Sequence, residues 1–205
     1  MNTLTSPRLR TTRLLHWIGK CYLTLFGWKV EGDVPPDRKF VAIAAHHTSN
    51  WDFPPLIAMS LYLRIPAYWL GKRTLFRAPL GRLMRCLGGI AIDRESGHNV
   101  VDQVVQVFNE REDFVLGLTP EGTRGWTDHW KTGFYRIAQG AGVRIQLVFI
   151  DYKRKVCGMG PIFAPTGDLE ADMIKIREFY RHVEPKFPSK RGRVSVARDA
   201  EPPHE

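Results

Sequence analysis

Short apolar runs that each empty into a polar turn, separated by stretches of helical period, constrain this chain more than any other feature. Residues 40–45, 67–70, 90–92 and 114–118 are apolar runs of strand length. Residues 53–63, 75–86, 100–109 and 131–141 between them carry apolar side chains at helical spacing. Two more strand-like runs, 145–152 and 156–163, and a helical pattern over 169–182 follow, with Gly140 and Gly142 predicted to stop the helix before them. Parallel strands need a long crossover, which a helix supplies, so this alternation predicts an α/β sandwich built on a mostly parallel mixed sheet. At 205 residues and 43% hydrophobic, the chain can bury its own core, and nothing in its length calls for division into several domains.

The ends of the strands carry the chemistry, because open α/β sheets bind ligands at the carboxyl ends of their strands. The run 40–45 empties into His46-His47-Thr48-Ser49-Asn50-Trp51-Asp52. A carboxylate accepting a hydrogen bond from one imidazole nitrogen fixes the tautomer and leaves the other nitrogen free to take a proton, so His47 and Asp52 read as a base and its orienting group. An isolated pair of this kind also serves simply to close a turn and cap a helix, and a second site has to decide between the readings. Residues 90–92 lead into Asp93-Arg94, and residues 114–118 lead into Thr119-Pro120-Glu121-Gly122-Thr123-Arg124. Glycine permits close backbone approach, and the planar guanidinium fork of arginine suits phosphate. Three strand ends thus deliver His with Asp, Arg, and Glu with Arg.

The trio, in this order, resembles the 1-acyl-sn-glycerol-3-phosphate acyltransferase family, whose blocks are Asn-His-x-Ser-x-x-Asp, a strand ending Ile-Asp-Arg, and Pro-Glu-Gly-Thr-Arg. Here they read His46-His47-Thr48-Ser49-Asn50-Trp51-Asp52, Ile92-Asp93-Arg94 and Pro120-Glu121-Gly122-Thr123-Arg124, with a looser fourth block around Val143-Arg144-Ile145-Gln146-Leu147. The likeness runs from about residue 14 to about residue 165. His46 stands where the family has Asn, and Ile145-Gln146 where Pro-Val is usual. The resemblance implies an O-acyltransferase that moves a fatty acyl group from an acyl-CoA or acyl carrier protein thioester to a lysophospholipid hydroxyl, most simply 1-acyl-sn-glycerol-3-phosphate, to give phosphatidic acid. It implies His47 as base, Asp52 as its orienter, and Arg94 and Arg124 as the acceptor phosphate clamp. Glu121, Gly122 and Thr123 are then the supporting loop, with the Glu121-Gly122 turn a candidate source of oxyanion donors and Glu121 a candidate partner for one of the arginines. No cofactor or metal is called for; His46, His47 and Asp52 have no evident third zinc partner. Ser49 is expected to cap the following helix, and no Gly-x-Ser-x-Gly elbow makes it a nucleophile. Lys72 and Arg73 are a source of further positive charge or a solvated turn. Trp126, His129 and Trp130 suggest the wall of an apolar tunnel or interface.

The chain is basic, 30 Lys and Arg against 21 Asp and Glu, formally +9. Such a balance fits an anionic membrane, a phosphorylated substrate or nucleic acid. No nucleic-acid recognition motif accompanies it, and the basic residues are dispersed, so a nucleic-acid partner is not expected. A non-catalytic basic membrane- or nucleic-acid-binding protein, or an acyltransferase for a different lyso-lipid or glycerol-phosphate-like acceptor, is the competing reading. Residues 8–28 interleave Arg8, Arg10, Arg13 and Lys20 with Leu14, Leu15, Trp17, Ile18, Leu23, Leu25, Phe26 and Trp28. Interrupted by His16, Gly19 and Lys20, this stretch is too broken to span a bilayer and reads as a helix lying in the membrane interface, or else as one packed on the domain. The expected organisation is a membrane-associating segment over 1–30, an acyltransferase domain over 31–183 and a polar tail over 184–205 that frays, the whole peripheral on the cytoplasmic face of the membrane. Three scattered cysteines, Cys21, Cys86 and Cys157, fit a reducing compartment. Cys21 and Cys86 lie in apolar helical patterns and are expected to pack in the core or at an interface.

Overall fold

The protein is described by a computed structural model over residues 12–92 and 97–197. Its strands are β1 (Lys29–Glu31), β2 (Lys39–Ala45), β3 (Ala67–Lys72), β4 (Gly89–Ile92), β5 (Phe114–Leu118), β6 (Arg144–Asp151) and β7 (Val156–Phe163). They form one sheet in the order β1-β7-β6-β2-β5-β3-β4. Every neighbouring pair is parallel except β6 and β7. Those two are joined by a turn too short for a crossover, with Lys155 at φ 55, and a turn of that kind can only bring the chain back antiparallel.

The helices are α1 (Arg13–Leu25), α2 (Phe53–Tyr62), α3 (Gly81–Cys86), α4 (Gly97–Glu110), α5 (Gly133–Gly140) and α6 (Leu169–Tyr180). Strand β2 shows why its sequence is apolar throughout. Its alternate side chains Val41, Ile43 and Ala45 enter a core with Phe108 of α4, Phe134 and Ile137 of α5, and Met173 and Tyr180 of α6. Phe40 and Ala42 enter a second core on the opposite face with Leu23 of α1 and Ala58 and Met59 of α2. A strand buried on both faces has no polar side to alternate with. The α5 helix stops as the glycines foretell: Gly142 adopts φ 63 and its N–H donates to Gln139 O at 3.1 Å.

Three expectations are corrected. The helix predicted over 75–86 is split into a 3-10 turn, Arg73–Phe76, and the short α3. Pro79 lies between them, where a continuing helix would need an N–H that proline lacks and would meet its ring. Cys21 and Cys86 do not enter the core but are exposed; Cys157 alone of the three is buried. The tail does not fray over residues 184–197. Tyr152 N donates to Glu184 O at 2.8 Å and Trp130 N to Ser195 O at 2.6 Å, and Val194 and Val196 pack against the α4–α6 core.

Helix α1 packs on the domain by one side and leaves the other exposed. Gly19 lies so close to α2 that a Cβ there would stand 2.5 Å from Ala58 O, while Leu23 is buried and His16 stacks on Tyr62. Its other side, Leu14, Trp17, Ile18 and Leu25, is exposed by 68, 56, 49 and 79%. No helix among the described residues is long and apolar enough to cross a membrane.

Candidate functional site

Strands β5, β2 and β6 are adjacent and β2 is parallel to both neighbours, so their carboxyl ends meet at one edge of the sheet. There the chain leaves β2 through His46 to Ser49 and enters a 3-10 turn, Asn50–Asp52. Ser49 Oγ accepts from Trp51 N at 3.1 Å while Ser49 N donates to Asp52 Oδ2 at 2.9 Å, a reciprocal capping box that orients the carboxylate from within its own turn. Thr48 N adds a third contact at 3.0 Å. His47 Nδ1 donates to the same oxygen at 2.9 Å. Because an ionised carboxylate only accepts, this contact puts the imidazole proton on Nδ1 and leaves Nε2 as the basic nitrogen. Asp52 is fully buried, and the His47 side chain is 22% exposed. The pair therefore has one shielded end and one open to a substrate. Ser49, its hydroxyl engaged in the cap and mostly buried, is a structural residue.

Among the described residues Glu121 faces the two histidines and no arginine. Its Oε2 accepts from the His47 backbone N–H at 2.9 Å, and its Oε1 stands 3.3 Å from His46 Nδ1. Consecutive residues at the strand end point to opposite sides, so His46 turns inward, fully buried, with Nε2 3.4 Å from Tyr180 O. Both ring nitrogens of His46 thus face oxygen acceptors, consistent with a structural donor role. One buried carboxylate from the loop after β5 reaches both histidines that follow β2.

The rest of the loop after β5 is divided between closing its own turn and reaching the site. Gly122, at φ 64, donates its N–H to Thr119 O at 3.1 Å, so this amide closes the turn and is not free to meet an oxyanion. Thr123 Oγ1 accepts from Gly125 N at 3.2 Å. Arg124 is exposed and donates to Asn50 Oδ1, which brings its guanidinium beside the turn that carries Asp52. Arg94 lies outside the described residues. Trp130 is buried in the core against Tyr180 and lines no tunnel, whereas Trp126 is 58% exposed and His129 pairs at the surface with Asp128.

Four neighbours of the site carry no signal in a local motif. Tyr152, just past β6, has a buried hydroxyl beside Asp52; Tyr152 Oη and Asp52 Oδ1 are buried without an aligned hydrogen-bond partner yet interact electrostatically. Burial first, and the Asp52 charge second, push the Tyr152 hydroxyl far above the usual tyrosine range, so it stays protonated. Lys186 lies over the rings of Tyr152 at 5.1 Å and Trp51 at 5.9 Å, and Phe187 N donates to Thr48 Oγ1 at 3.3 Å. Lys131 lies over Gly122, its Cδ and Cε 3.0 Å from where a Cβ would stand.

A family model described as acyltransferase matches residues 28–151. The 1-acyl-sn-glycerol-3-phosphate acyltransferase of Haemophilus influenzae is 33% identical over 139 residues, 63% of this chain and 56% of that protein. This chain therefore spans little more than half of that relative's length. The crystal structure of the 1-acyl-sn-glycerophosphate acyltransferase PlsC from Thermotoga maritima matches at TM-score 0.56 and 21% identity over 82% of this chain and 74% of that one, a likeness of fold.

Proposed function

This chain belongs to the acyltransferase family, and on that premise we propose that it transfers a fatty acyl group from a thioester, acyl-CoA or acyl carrier protein, to the hydroxyl of 1-acyl-sn-glycerol-3-phosphate, giving phosphatidic acid. The observation that carries this reading is the His47–Asp52 pair, buried at one end and open at the other, with Arg124 held beside it. An alcohol is a weak nucleophile near neutral pH. His47 Nε2 takes the hydroxyl proton as the substrate oxygen bonds to the thioester carbonyl carbon. Collapse of the tetrahedral intermediate breaks the C–S bond, and the departing thiolate receives the proton from the His47 imidazolium. Asp52 stabilises that imidazolium through Nδ1 and keeps the ring in place. Gly122 N–H, Thr48 N–H and Ser49 N–H are all engaged elsewhere, so the oxyanion is met by other donors.

Arg124, with Arg94, clamps the acceptor phosphate and orients the hydroxyl, so binding energy remote from the reacting atoms lowers the barrier. In the same reading the exposed apolar stripe of α1 rests in the membrane interface on the cytoplasmic face. Purified protein incubated with a panel of lyso-lipids and both donor types, read by thiol release and product mass, tests this. Phosphatidic acid from lysophosphatidate, with acceptor KM raised in Arg124→Ala and only partly restored in Arg124→Lys, is the expected result, since lysine cannot make the bidentate contact. Preference for an acceptor without phosphate, or no thiol release from any pair, overturns it.

A further inference from the structure

We propose that the turn Arg73–Phe76 together with α3 forms a second contact with an anionic lipid surface, separate from α1. Residues 64–92 contain Arg64, Lys72, Arg73, Arg77, Arg82 and Arg85 and not one Asp or Glu. In the fold this stretch also presents Leu75, Leu80 and Leu83 to the outside, exposed by 49, 60 and 51%. Single exposed leucines are ordinary on a protein surface. Three of them among exposed arginines, in a stretch that itself carries no acidic residue, have the composition of a surface that enters the headgroup layer of an anionic bilayer.

The surface is built to hold its shape. Phe76 is buried and stacks on Trp69 at 5.7 Å, which in turn meets Phe53 at the start of α2 at 4.9 Å. Arg85 reaches back over the Phe76 ring and donates to Phe76 O at 3.3 Å. Gly81 approaches Phe76 O so closely that any side chain would collide with it. Trp69 and Phe53 also fix which side of the sheet the surface occupies. Tyr68 enters the α4–α6 core, so its neighbour Trp69 points to the other face, the one covered by α2 and α1. The exposed stripe of α1 and the exposed leucines around α3 thus belong to the same layer of the molecule, with α2 between. Strand β3, from which the turn departs, runs parallel to β5 and so opens at the sheet edge that carries His47 and Glu121. A lipid surface touching both patches would lie beside the mouth of the site.

The inference rests on the membrane reading of α1, and the test separates it from the acyltransferase reading. Full-length protein is sedimented with vesicles of phosphatidylcholine, with and without phosphatidylglycerol, and thiol release is measured in parallel with a dispersed short-chain acceptor. Arg77→Gln/Arg82→Gln should weaken binding to anionic vesicles about tenfold while changing binding to neutral ones little, because the attraction lost is Coulombic. Leu75→Ser/Leu80→Ser/Leu83→Ser should weaken both. Each should release thiol from the dispersed substrates at the wild-type rate. Wild-type vesicle binding by both variants, while Leu14→Ser/Trp17→Ser/Ile18→Ser loses it, overturns the second contact and leaves α1 as the anchor. Normal vesicle binding with no turnover of any acceptor by the wild type would instead count against the proposed reaction.

Discussion

The backbone amide of His47 donates to the carboxylate of Glu121, 74 residues further along the chain, at 2.9 Å. Glu121 therefore acts on the base through its main chain, while Asp52 acts through its ring. Removing Glu121 leaves the partly buried His47 N–H without its acceptor, which costs about 1–3 kcal/mol for such a group. Glu121→Ala should lower both the thermal midpoint and kcat, the latter by about tenfold for a misplaced base. Glu121→Gln keeps an oxygen for the His47 amide and should recover most of kcat. Equal loss in the two variants would show that the charge of Glu121, and not its acceptor oxygen, is what the site requires.

His47→Ala and Asp52→Asn should each reduce kcat by at least about a hundredfold, the usual contribution of a positioned general base. Asparagine can still accept from the capping amides, so circular dichroism and thermal midpoint of Asp52→Asn should stay near wild type. Asp52→Ala should lose a further ~1 kcal/mol of stability with the cap. Near-normal turnover by His47→Ala would remove this residue from the chemistry.

Gly19→Val should destabilise the protein by about 1–3 kcal/mol, since its side chain would press on the backbone of α2 at Ala58 and Tyr62. Denaturant unfolding measures this. Deleting residues 1–28 should likewise uncover the core around Leu23 and Trp28 and leave an aggregating product. A truncated protein that unfolds cooperatively at the wild-type midpoint would show that α1 contributes nothing to the fold.

Cys157 is buried, and burial pushes its thiol up to about 12 from an ordinary value of 9.0. Well below pH 9 folded and unfolded states both hold this proton, and the thiol adds no pH dependence. As pH rises from 9 towards 12 only the unfolded state releases it, so stability falls by about 1.4 kcal/mol per unit. Cys157→Ala should flatten the loss of unfolding free energy between pH 8 and pH 10 measured in urea. In native protein a thiol reagent should modify Cys21 and Cys86 rapidly and Cys157 only on unfolding.

What the sequence determined by itself is local. The strands over 40–45 and 114–118 are legible because a run of apolar residues followed by polar turn residues is a property of neighbours along the chain. The His47–Asp52 contact is legible for the same reason: a capping box closes over three residues and needs nothing from elsewhere. The amphipathic character of α1 is readable too, but not its allocation. Both sides of that helix carry apolar residues, and only the presence of α2 decides that Gly19 and Leu23 face protein while Trp17 and Leu25 do not.

The assignments that tertiary structure alone decided all depend on strand order. Each strand announces that it ends in a polar turn, but nothing local states that β2 lies between β5 and β6. That placement puts the ends of three distant segments within reach of one another, so Glu121 meets His46 and His47 and Tyr152 meets Asp52. It also turns the basic stretch after residue 184 into a packed arm along Thr48 and Trp130, whose polar composition alone reads as a loose tail. Burial of a polar group is set by what covers it, and here the cover comes from parts of the chain that share no pattern with what they cover.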